Sequence, residues 1–269
     1  VFPPKKESAY ESVEKAAAEI AGLHPSFMCG TDGAGGGTSK YTVDIAAGLA
    51  REYGVTSMAH LSCVSSTRAD VSEMVKKLEE KGIENVLALR GDIPPDGHVE
   101  HDYRYASELV RDLKAMGNFC IGGACYPEGH PESANKKEDI LHLKEKVDAG
   151  CDFLTTQMFF DNNLFYNFLY RIREAGITVP IIAGIMPVTN ASQMKRILSM
   201  SGTALPTRFK MILDKFGDNP AAMRQAGIAY ATEQIIDLVA NNIHAIHIYS
   251  MNKPDVAAQI KNSVSEILV

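Results

Sequence analysis

Ala88-Leu89-Arg90-Gly91-Asp92-Ile93-Pro94-Pro95 is the stretch that decides the fold class of this chain. It ends an apolar run that shows too little alternation for a sheet with one wet face, so the run predicts a strand covered on both faces. Two prolines then prevent the regular structure from continuing. In α/β folds the carboxyl ends of parallel strands carry the functional side chains, and Arg90 and Asp92 stand at such an end.

The rest of the chain repeats a short apolar strand, a polar tip and an amphipathic helix. This alternation predicts a parallel sheet, either open or closed into a barrel. The predicted strands are Phe27-Met28-Cys29, Ser57 to Leu61, Asn85 to Leu89, Cys120 to Cys125, Phe153 to Gln157, Pro180 to Gly184 and Ala245 to Tyr249. The predicted helices include Thr38 to Glu52 and, as extra helices before the last strand, Gln193 to Ser199, Thr207 to Phe216 and Pro220 to Asn241.

The first residues, Val1-Phe2-Pro3-Pro4, resemble the end of a first strand that has been cut short, which brings the strand count to eight. Eight strands favour a (β/α)8 TIM barrel, closed by a last helix from Pro254 to Leu268. No linker interrupts the 269 residues, so we expect a single domain, 1–269. The cluster from Gly33 to Gly37 lacks the G-x-G-x-x-G spacing of dinucleotide-binding sheets, and fits a tight turn, a phosphate cradle or both.

Composition excludes several classes of function. The net charge of −6 and the scattered Lys and Arg residues argue against a nucleic-acid partner, although small phosphates remain possible ligands. No apolar segment reaches the roughly 18 residues that span a bilayer, and no signal peptide is visible, so we expect a cytoplasmic protein without a membrane partner. The five cysteines lack close metal-ligand spacing and fit reduced thiols in a core, and we expect no metal site.

Polar residues stand at the tips of the predicted strands and would converge on one rim of a barrel. They are His60, Arg90, Asp92, Tyr126, Glu128, Gln157 and Tyr249. Structural explanations remain open for several: a rim histidine, an ion pair of Arg90 with Asp92 that pins a turn, and a packing role for Tyr249. A pocket of donors and acceptors without a nucleophile suits a reaction in which a cofactor does the difficult chemistry.

A second group lies on the helix that begins near Glu138. Asp139, His142 and Lys146 follow the i, i+3, i+7 spacing and therefore share one face. This face is either simply solvated or forms a site for a ribose and its phosphates, for which a carboxylate, an imidazole and an ammonium are suitable groups.

Together these segments resemble the methylenetetrahydrofolate reductase family, whose members are flavoprotein (β/α)8 barrels. The resemblance covers essentially the whole chain and is most specific in two strings, Leu89-Arg90-Gly91-Asp92 and Tyr126-Pro127-Glu128-Gly129-His130-Pro131-Glu132. It implies an enzyme of one-carbon metabolism and methionine biosynthesis that reduces 5,10-methylenetetrahydrofolate to 5-methyltetrahydrofolate through bound FAD. A donor reduces the FAD first and the folate then replaces the donor, which implies ping-pong kinetics.

The resemblance also implies roles for individual residues. Asp92 would be the catalytic residue, a fixed carboxylate that stabilises the cationic iminium formed when the methylene bridge opens. The folate or nicotinamide would meet Gln157, Gln193, Tyr249 and Lys253. The FAD would be held by Thr31, His60, Arg90, Gly91, Asp92, Tyr105, Ala106, Ala124, Tyr126, Asp139, His142 and Lys146.

Four departures from the family pattern bear on catalysis and on the electron donor. Family members carry a glutamate just before the position of Val1, where it acts as proton donor, and this residue is absent here. We expect it in missing upstream residues. A protein that began at Val1 should bind FAD but reduce folate poorly. Asp32 replaces a tyrosine, Glu145 an arginine, and Ile197 an aromatic residue that packs on the nicotinamide. Electrons would come from NAD(P)H or from a partner redox protein.

Three functions stay open at this point. The first is the reductase, as a homo-oligomer or as part of a redox complex. The second is a flavin-free barrel that binds folate and takes part in methyl transfer. The third is a subunit that is active only within a larger redox complex.

Overall fold

The computed structural model describes residues 1–3, 10–31, 42–93, 102–192, 194, 197–198 and 203–268. Gln193, Asp32, the Gly33 to Gly37 cluster and the two prolines after Ile93 lie outside this part of the chain. The described strands are β1 (Met28–Gly30), β2 (Ser57–Ser62), β3 (Asn85–Leu89), β4 (Cys120–Cys125), β5 (Phe153–Thr156), β6 (Ile181–Ile185) and β7 (Ile246–Ile248). The described helices are α1 (Tyr10–Ala21), α2 (Thr42–Tyr53), α3 (Arg68–Glu80), α4 (Ala106–Met116), α5 (Lys136–Asp148), α6 (Asn162–Glu174), α7 (Thr207–Phe216), α8 (Pro220–Ala240) and α9 (Pro254–Val264).

The order of the elements confirms the predicted fold class. Strands and helices alternate along the chain, and the strands follow chain order in the sheet from β1 to β7. Parallel neighbours in chain order with a helix in each connection are the pattern of a TIM-barrel-like α/β fold. Two of the three extra helices predicted before the last strand are also confirmed, since α7 and α8 both lie between β6 and β7. The third, Gln193 to Ser199, lies largely outside the described residues.

Most predicted boundaries hold to within one or two residues. The strands at Asn85–Leu89 and Cys120–Cys125 have the predicted ends, and so does the helix Thr207–Phe216. The last helix ends at Val264 instead of Leu268, because the chain then turns over the following three residues. Helix α5 begins at Lys136, two residues earlier than expected, because the Asn135 side-chain oxygen accepts hydrogen bonds from the backbone of Lys137 and Glu138.

The chain divides into two compact units. The first comprises Val1–Ala124 and Glu145–Leu154, and the second comprises Cys125–Lys144 and Thr155–Val269. The expected single domain, 1–269, therefore stays a prediction, and each unit is described by itself.

In the first unit, β1 pairs with β2, β2 with β3 and β3 with β4, all in parallel. Val1 extends this ladder at the β1 edge. Its backbone N–H donates to Cys29 O, and its carbonyl accepts from Thr31 N at 3.0 Å, which together form the bond pair of a parallel bridge. Val1 of the predicted remnant thus lies beside β1, although residues 1–3 are not assigned to a strand, so the described part of the chain contains seven strands and not the predicted eight. The core of the unit comes from strand side chains such as Val86 and Ile121, which pack on side chains of α2, α3 and α4 such as Leu109, and these three residues are fully buried.

In the second unit, β6 pairs in parallel with β7. A hydrophobic cluster rich in methionine lies beyond these strands and includes Met158, Met194 and Met223, with the stacked rings of Phe160 and Phe209 4.8 Å apart. Helix α8 approaches the segment after β6 so closely that a Cβ on Gly227 would lie 1.8 Å from Val188 O. Only glycine permits this contact between a helix and a backbone carbonyl.

All five cysteines are free thiols. Four are buried, as expected, whereas Cys120 is exposed at the start of β4. Burial raises the pKa of the Cys29 and Cys63 thiols to about 12. Among the described helices, none combines the length and the apolar character that a membrane span requires.

Candidate functional site

The first unit brings several predicted site residues to one edge of its sheet. Because β1 to β4 are parallel, their carboxyl ends share that edge, where Thr31 and Arg90 follow their strands and Ala124 is the second-last residue of β4. His60 is partly buried and lies inside β2 and not at its tip, since this strand continues to Ser62, one residue beyond the predicted end at Leu61. The hydroxyl of Thr31 donates to Val1 O at 3.2 Å.

The Arg90-Gly91 turn is fixed by the backbone. Cys63 N and Val64 N both donate to Arg90 O, at 3.1 and 2.7 Å, so the end of β3 is tied to the segment after β2. Gly91 has a φ of +90°, and a Cβ there would lie 2.9 Å from Val64 Cγ1. Both facts require glycine at this position. The Arg90 Nε donates to Gly91 O at 3.3 Å, which draws the guanidinium back over the turn.

Asp92 follows this rigid turn and is exposed. The chain therefore presents a carboxylate directly after a turn whose conformation is set by Gly91. A carboxylate near a developing positive charge can stabilise it electrostatically.

Tyr105 and Ala106 stand at the start of α4. The Glu108 side chain accepts from the backbone N–H groups of Arg104 and Tyr105 at 2.6 and 3.0 Å, so it caps the helix. Tyr105 is 47% exposed, and the Arg104 guanidinium lies 5.2 Å from the centre of its ring. Ala106 is buried. The pair thus offers an open aromatic face beside a small residue.

Lys146 reaches back from α5 to the end of β4. Its Nζ donates to Ala124 O at 2.7 Å. The side chain takes this path because Gly123 has no Cβ, which would otherwise lie 2.9 Å from Lys146 Cδ. Two of the predicted cofactor residues, Ala124 and Lys146, are therefore in direct contact, and an ammonium group is held at the carboxyl edge of the first unit's sheet.

The second unit contains the other two members of the predicted helical group. Asp139 accepts a hydrogen bond from Ser133 Oγ at 3.1 Å, and His142 is exposed. Tyr126 follows β4, and its ring meets that of His130 edge-on, with the centroids 4.6 Å apart. Asp139 and Tyr126 also line a common pocket with Lys136 and Arg171.

The Glu128 side chain is held by the backbone of a residue far away in the sequence. Its Oε2 accepts from Ala204 N at 2.7 Å, while Oε1 is buried and has no hydrogen-bond partner in the described part of the chain. Burial raises the pKa of this carboxyl group, against the lowering effect of the bond from Ala204. The sequence places Glu128 at a strand tip, but it does not show the contact with residue 204.

Three of the predicted substrate residues lie within the second unit. Gln157 follows β5, and its backbone N–H donates to Cys125 O at 2.7 Å. The Tyr249 hydroxyl donates to Thr156 O at 2.7 Å, so Tyr249 and Gln157 lie next to each other at the strand ends. Lys253 donates through Nζ to Thr189 Oγ1 at 2.6 Å. The fourth residue, Gln193, is outside the described residues.

Sequence reasoning missed the groups that support these side chains. Thr156 is fully buried and accepts from Gly184 N through its hydroxyl at 2.9 Å. His247 lies beside Tyr249, with the ring centroids 5.0 Å apart, and burial lowers its pKa to about 4. One of these contacts had a signal in the sequence: Gly184 lies inside a predicted strand, and a glycine there often marks a place where another group approaches the backbone closely.

The described residues contain no cluster of three or more His, Cys, Asp or Glu side chains that could hold a metal ion. The two units instead present amide, hydroxyl, carboxylate and cationic groups at strand ends. A family model for methylenetetrahydrofolate reductase matches residues 1–265. The chain belongs to the methylenetetrahydrofolate reductase family.

Individual relatives agree with this assignment. The chain is 33% identical over 260 residues to the 5,10-methylenetetrahydrofolate reductase of Escherichia coli K12, covering 96% of this chain and 87% of the relative. It is 36% identical over 267 residues to methylenetetrahydrofolate reductase (NADH) 1 of Zea mays, which covers 93% of this chain. The chain spans 45% of the length of the maize protein, so it is less than half as long as that relative.

A solved structure supports the fold. A protein from Clostridium thermocellum, described as binding two copies of 5-methyl-5,6,7,8-tetrahydrofolic acid, superposes with a TM-score of 0.69 over 99% of this chain and 93% of its own. The sequence identity is 15%, so this likeness supports the fold of the chain and says nothing about which ligand the chain binds.

Proposed function

We propose that the protein is an oxidoreductase that reduces 5,10-methylenetetrahydrofolate to 5-methyltetrahydrofolate with FAD as its cofactor. The family match over residues 1–265 is the observation that carries the proposal. The strand-end side chains support it, because they offer many hydrogen-bonding groups and no activated nucleophile, which suits chemistry performed by a bound cofactor.

The residues of the first unit fit FAD in chemical type. A dinucleotide needs cations for its diphosphate and donors for the carbonyl groups of its ring. Lys146, held over Gly123 at Ala124 O, supplies an ammonium at the sheet edge, and Arg90 supplies a guanidinium on a fixed turn. Thr31 and His60 add a hydroxyl and an imidazole. When bound, FAD supplies hydride transfer to the one-carbon unit.

The remaining predicted cofactor residues keep their roles as proposals. In the first unit, Gly91 gives the turn its shape, Asp92 follows it, and Tyr105 with Ala106 provides an aromatic surface next to a small residue. In the second unit, Tyr126, Asp139 and His142 offer a ring, a carboxylate and an imidazole, which are suited to a ribose and its phosphates.

Asp92 is the proposed catalytic residue. Opening the methylene bridge creates a cationic iminium, and an anion fixed near that charge lowers the energy of the step. The Gly91 turn supports this role, since its fixed backbone sets where the chain continues into Asp92. Gln157, Gln193, Tyr249 and Lys253 are proposed to bind the substrate, with amide and ammonium groups that match the polar edges and carboxylates of a folate.

The electron donor is proposed to be NAD(P)H or a partner redox protein, with the donor and the folate binding in turn. Ile197 packs against the methionine-rich cluster of the second unit, which contains aliphatic side chains as well as the rings of Phe160 and Phe209. An aliphatic residue at this position lacks the stacking surface that an aromatic ring gives to a nicotinamide, worth about 1 kcal/mol. This favours a partner protein over NADH as the better donor.

Anaerobic titration of the purified protein tests cofactor and donor together. We expect a yellow protein whose flavin band bleaches on addition of the right donor among NADH, NADPH and reduced ferredoxin, and recovers with methylenetetrahydrofolate. A colourless protein that takes up no FAD would favour the flavin-free folate-binding barrel. A yellow protein that turns over only with a co-purifying partner would favour the subunit of a redox complex.

A further inference from the structure

The peptide group that joins Thr156 to Gln157 is held at both of its polar ends. Its carbonyl, Thr156 O, accepts from the Tyr249 hydroxyl at 2.7 Å, and its N–H, that of Gln157, donates to Cys125 O at 2.7 Å. All of these residues belong to the second unit. A peptide plane that is fixed on both sides sets the direction in which the next side chain leaves the backbone.

The side chain of Gln157 is fixed as well. Its Oε1 accepts from Met158 N at 3.0 Å. A backbone N–H can only donate, so the atom that faces Met158 must be the oxygen and not the amide nitrogen. The Nε2 group, with its two donors, is therefore the part of the amide that remains for a ligand.

Gly184 makes room for the Tyr249 contact. A Cβ on Gly184 would lie 2.4 Å from Thr156 O and 2.6 Å from Tyr249 Cε2, so a larger residue would occupy the space in which the hydroxyl meets the carbonyl. Gly184 N also donates to the Thr156 hydroxyl at 2.9 Å. Thr156 is therefore bound through its hydroxyl to β6 and through its carbonyl to the residue that follows β7.

From these contacts we infer that Tyr249 is a positioning residue that acts through the Thr156-Gln157 peptide and holds Gln157 as a hydrogen-bond donor to an acceptor on the substrate. The acceptor is a carbonyl oxygen or a ring nitrogen, as on the edge of a pteridine. The inference rests on the proposed function only for the identity of this substrate. It changes the role of the Tyr249 hydroxyl, which serves the backbone and not the ligand.

A double-mutant cycle tests the inference. The variants are Tyr249→Phe, Gln157→Ala and the two together, and the measurement is the dissociation constant of 5-methyltetrahydrofolate by calorimetry. We expect Tyr249→Phe alone to weaken binding about fivefold, the effect of one lost hydrogen bond. In the Gln157→Ala background the same change should have no effect, because the side chain that it positions is gone. Equal effects in both backgrounds would overturn the inference.

Tyr230→Phe is the matched control. The Tyr230 hydroxyl also donates to a backbone carbonyl of the second unit, Phe160 O, at 2.6 Å, and no hydrogen bond among the described residues joins it to the Thr156-Gln157 peptide. This variant should lose a similar amount of stability and keep its affinity for folate. Weaker folate binding by Tyr230→Phe of the same size would show that the Tyr249 effect is general loosening, and would contradict the inference.

A second measurement does not depend on folate. The side-chain amide signals of Gln157, assigned by their loss in Gln157→Ala, should shift in the NMR spectrum of Tyr249→Phe and stay in place in Tyr230→Phe. Unchanged signals in Tyr249→Phe would overturn the inference even if the wild-type protein binds folate. If the wild type binds no folate while the signals shift as expected, the proposed function fails and the positioning role stands.

Discussion

Replacing Gly91 by alanine should destabilise the protein more than the same change at any glycine that has only an unusual backbone angle. Gly91 has a φ of +90°, and holding an alanine there costs about 1–3 kcal/mol. The new Cβ would also lie 2.9 Å from Val64 Cγ1 and 3.2 Å from Ser62 Cβ, and overpacking of this kind costs about 1–3 kcal/mol more. We therefore expect Gly91→Ala to lower the free energy of unfolding by about 2–6 kcal/mol.

Gly129→Ala is the control for the backbone part of this effect. Gly129 has a φ of +94°, but a Cβ there would meet its nearest neighbour, Lys136 Cγ, at an ordinary 3.5 Å. Its cost should therefore be the backbone strain alone, about 1–3 kcal/mol. The difference between the two variants, measured by urea unfolding, isolates the crowding at Val64 and Ser62.

A third variant removes the contact atom itself. Val64→Ala loses Cγ1, so adding it to Gly91→Ala should recover part of the lost stability in a double-mutant cycle. If Gly91→Ala is no worse than Gly129→Ala, or if the cycle with Val64→Ala is additive, the turn is not packed as described, and Gly91 does not fix the course of the chain into Asp92.

Three other predictions concern single groups. Lys146→Met removes the ammonium that we propose for the FAD diphosphate, so it should weaken FAD binding about tenfold in a fluorescence titration, since a charge-assisted bond to the ligand is worth about 1.5–3 kcal/mol. Lys137→Met, on the exposed part of the same helix, should leave FAD binding unchanged. A thiol reagent at pH 8 should label the exposed Cys120 first in the native protein and spare Cys29 and Cys63, whose pKa of about 12 keeps them protonated. Labelling of Cys29 or Cys63 as fast as that of Cys120 would contradict this. Burial lowers the pKa of His247 to about 4, so its side chain stays neutral in the folded protein, whereas the unfolded chain binds a proton below about pH 6.5. The free energy of unfolding should therefore fall as the pH drops from about 6.5 to 4, and His247→Gln should make this dependence on pH weaker.

The fold was largely predictable because its signals are local. Apolar runs such as Asn85–Leu89 and the amphipathic pattern of Thr207–Phe216 are complete within one element, so their ends matched the structure. Boundaries that depend on side-chain contacts were harder to place. The start of α5 depends on Asn135, and the end of β2 depends on how far its ladder with β3 continues past His60.

The candidate site also contains residues that the sequence predicts and contacts that it does not. Polar residues directly after an apolar strand, such as Arg90 and Gln157, were found from the sequence. Their supports were not, because these join residues far apart in the chain: Tyr249 to Thr156, Ala204 to Glu128, and Lys146 to Ala124. No pattern within a single element encodes which carbonyl a distant hydroxyl or ammonium will reach.

The central claim is that this chain reduces methylenetetrahydrofolate through a bound flavin. The most direct test does not involve the natural donor. The purified protein is loaded with FAD, reduced anaerobically with dithionite, and mixed with methylenetetrahydrofolate in a single turnover. The account predicts recovery of the flavin band with formation of one equivalent of 5-methyltetrahydrofolate for each flavin. A flavin that stays reduced, with the folate unchanged, would contradict it.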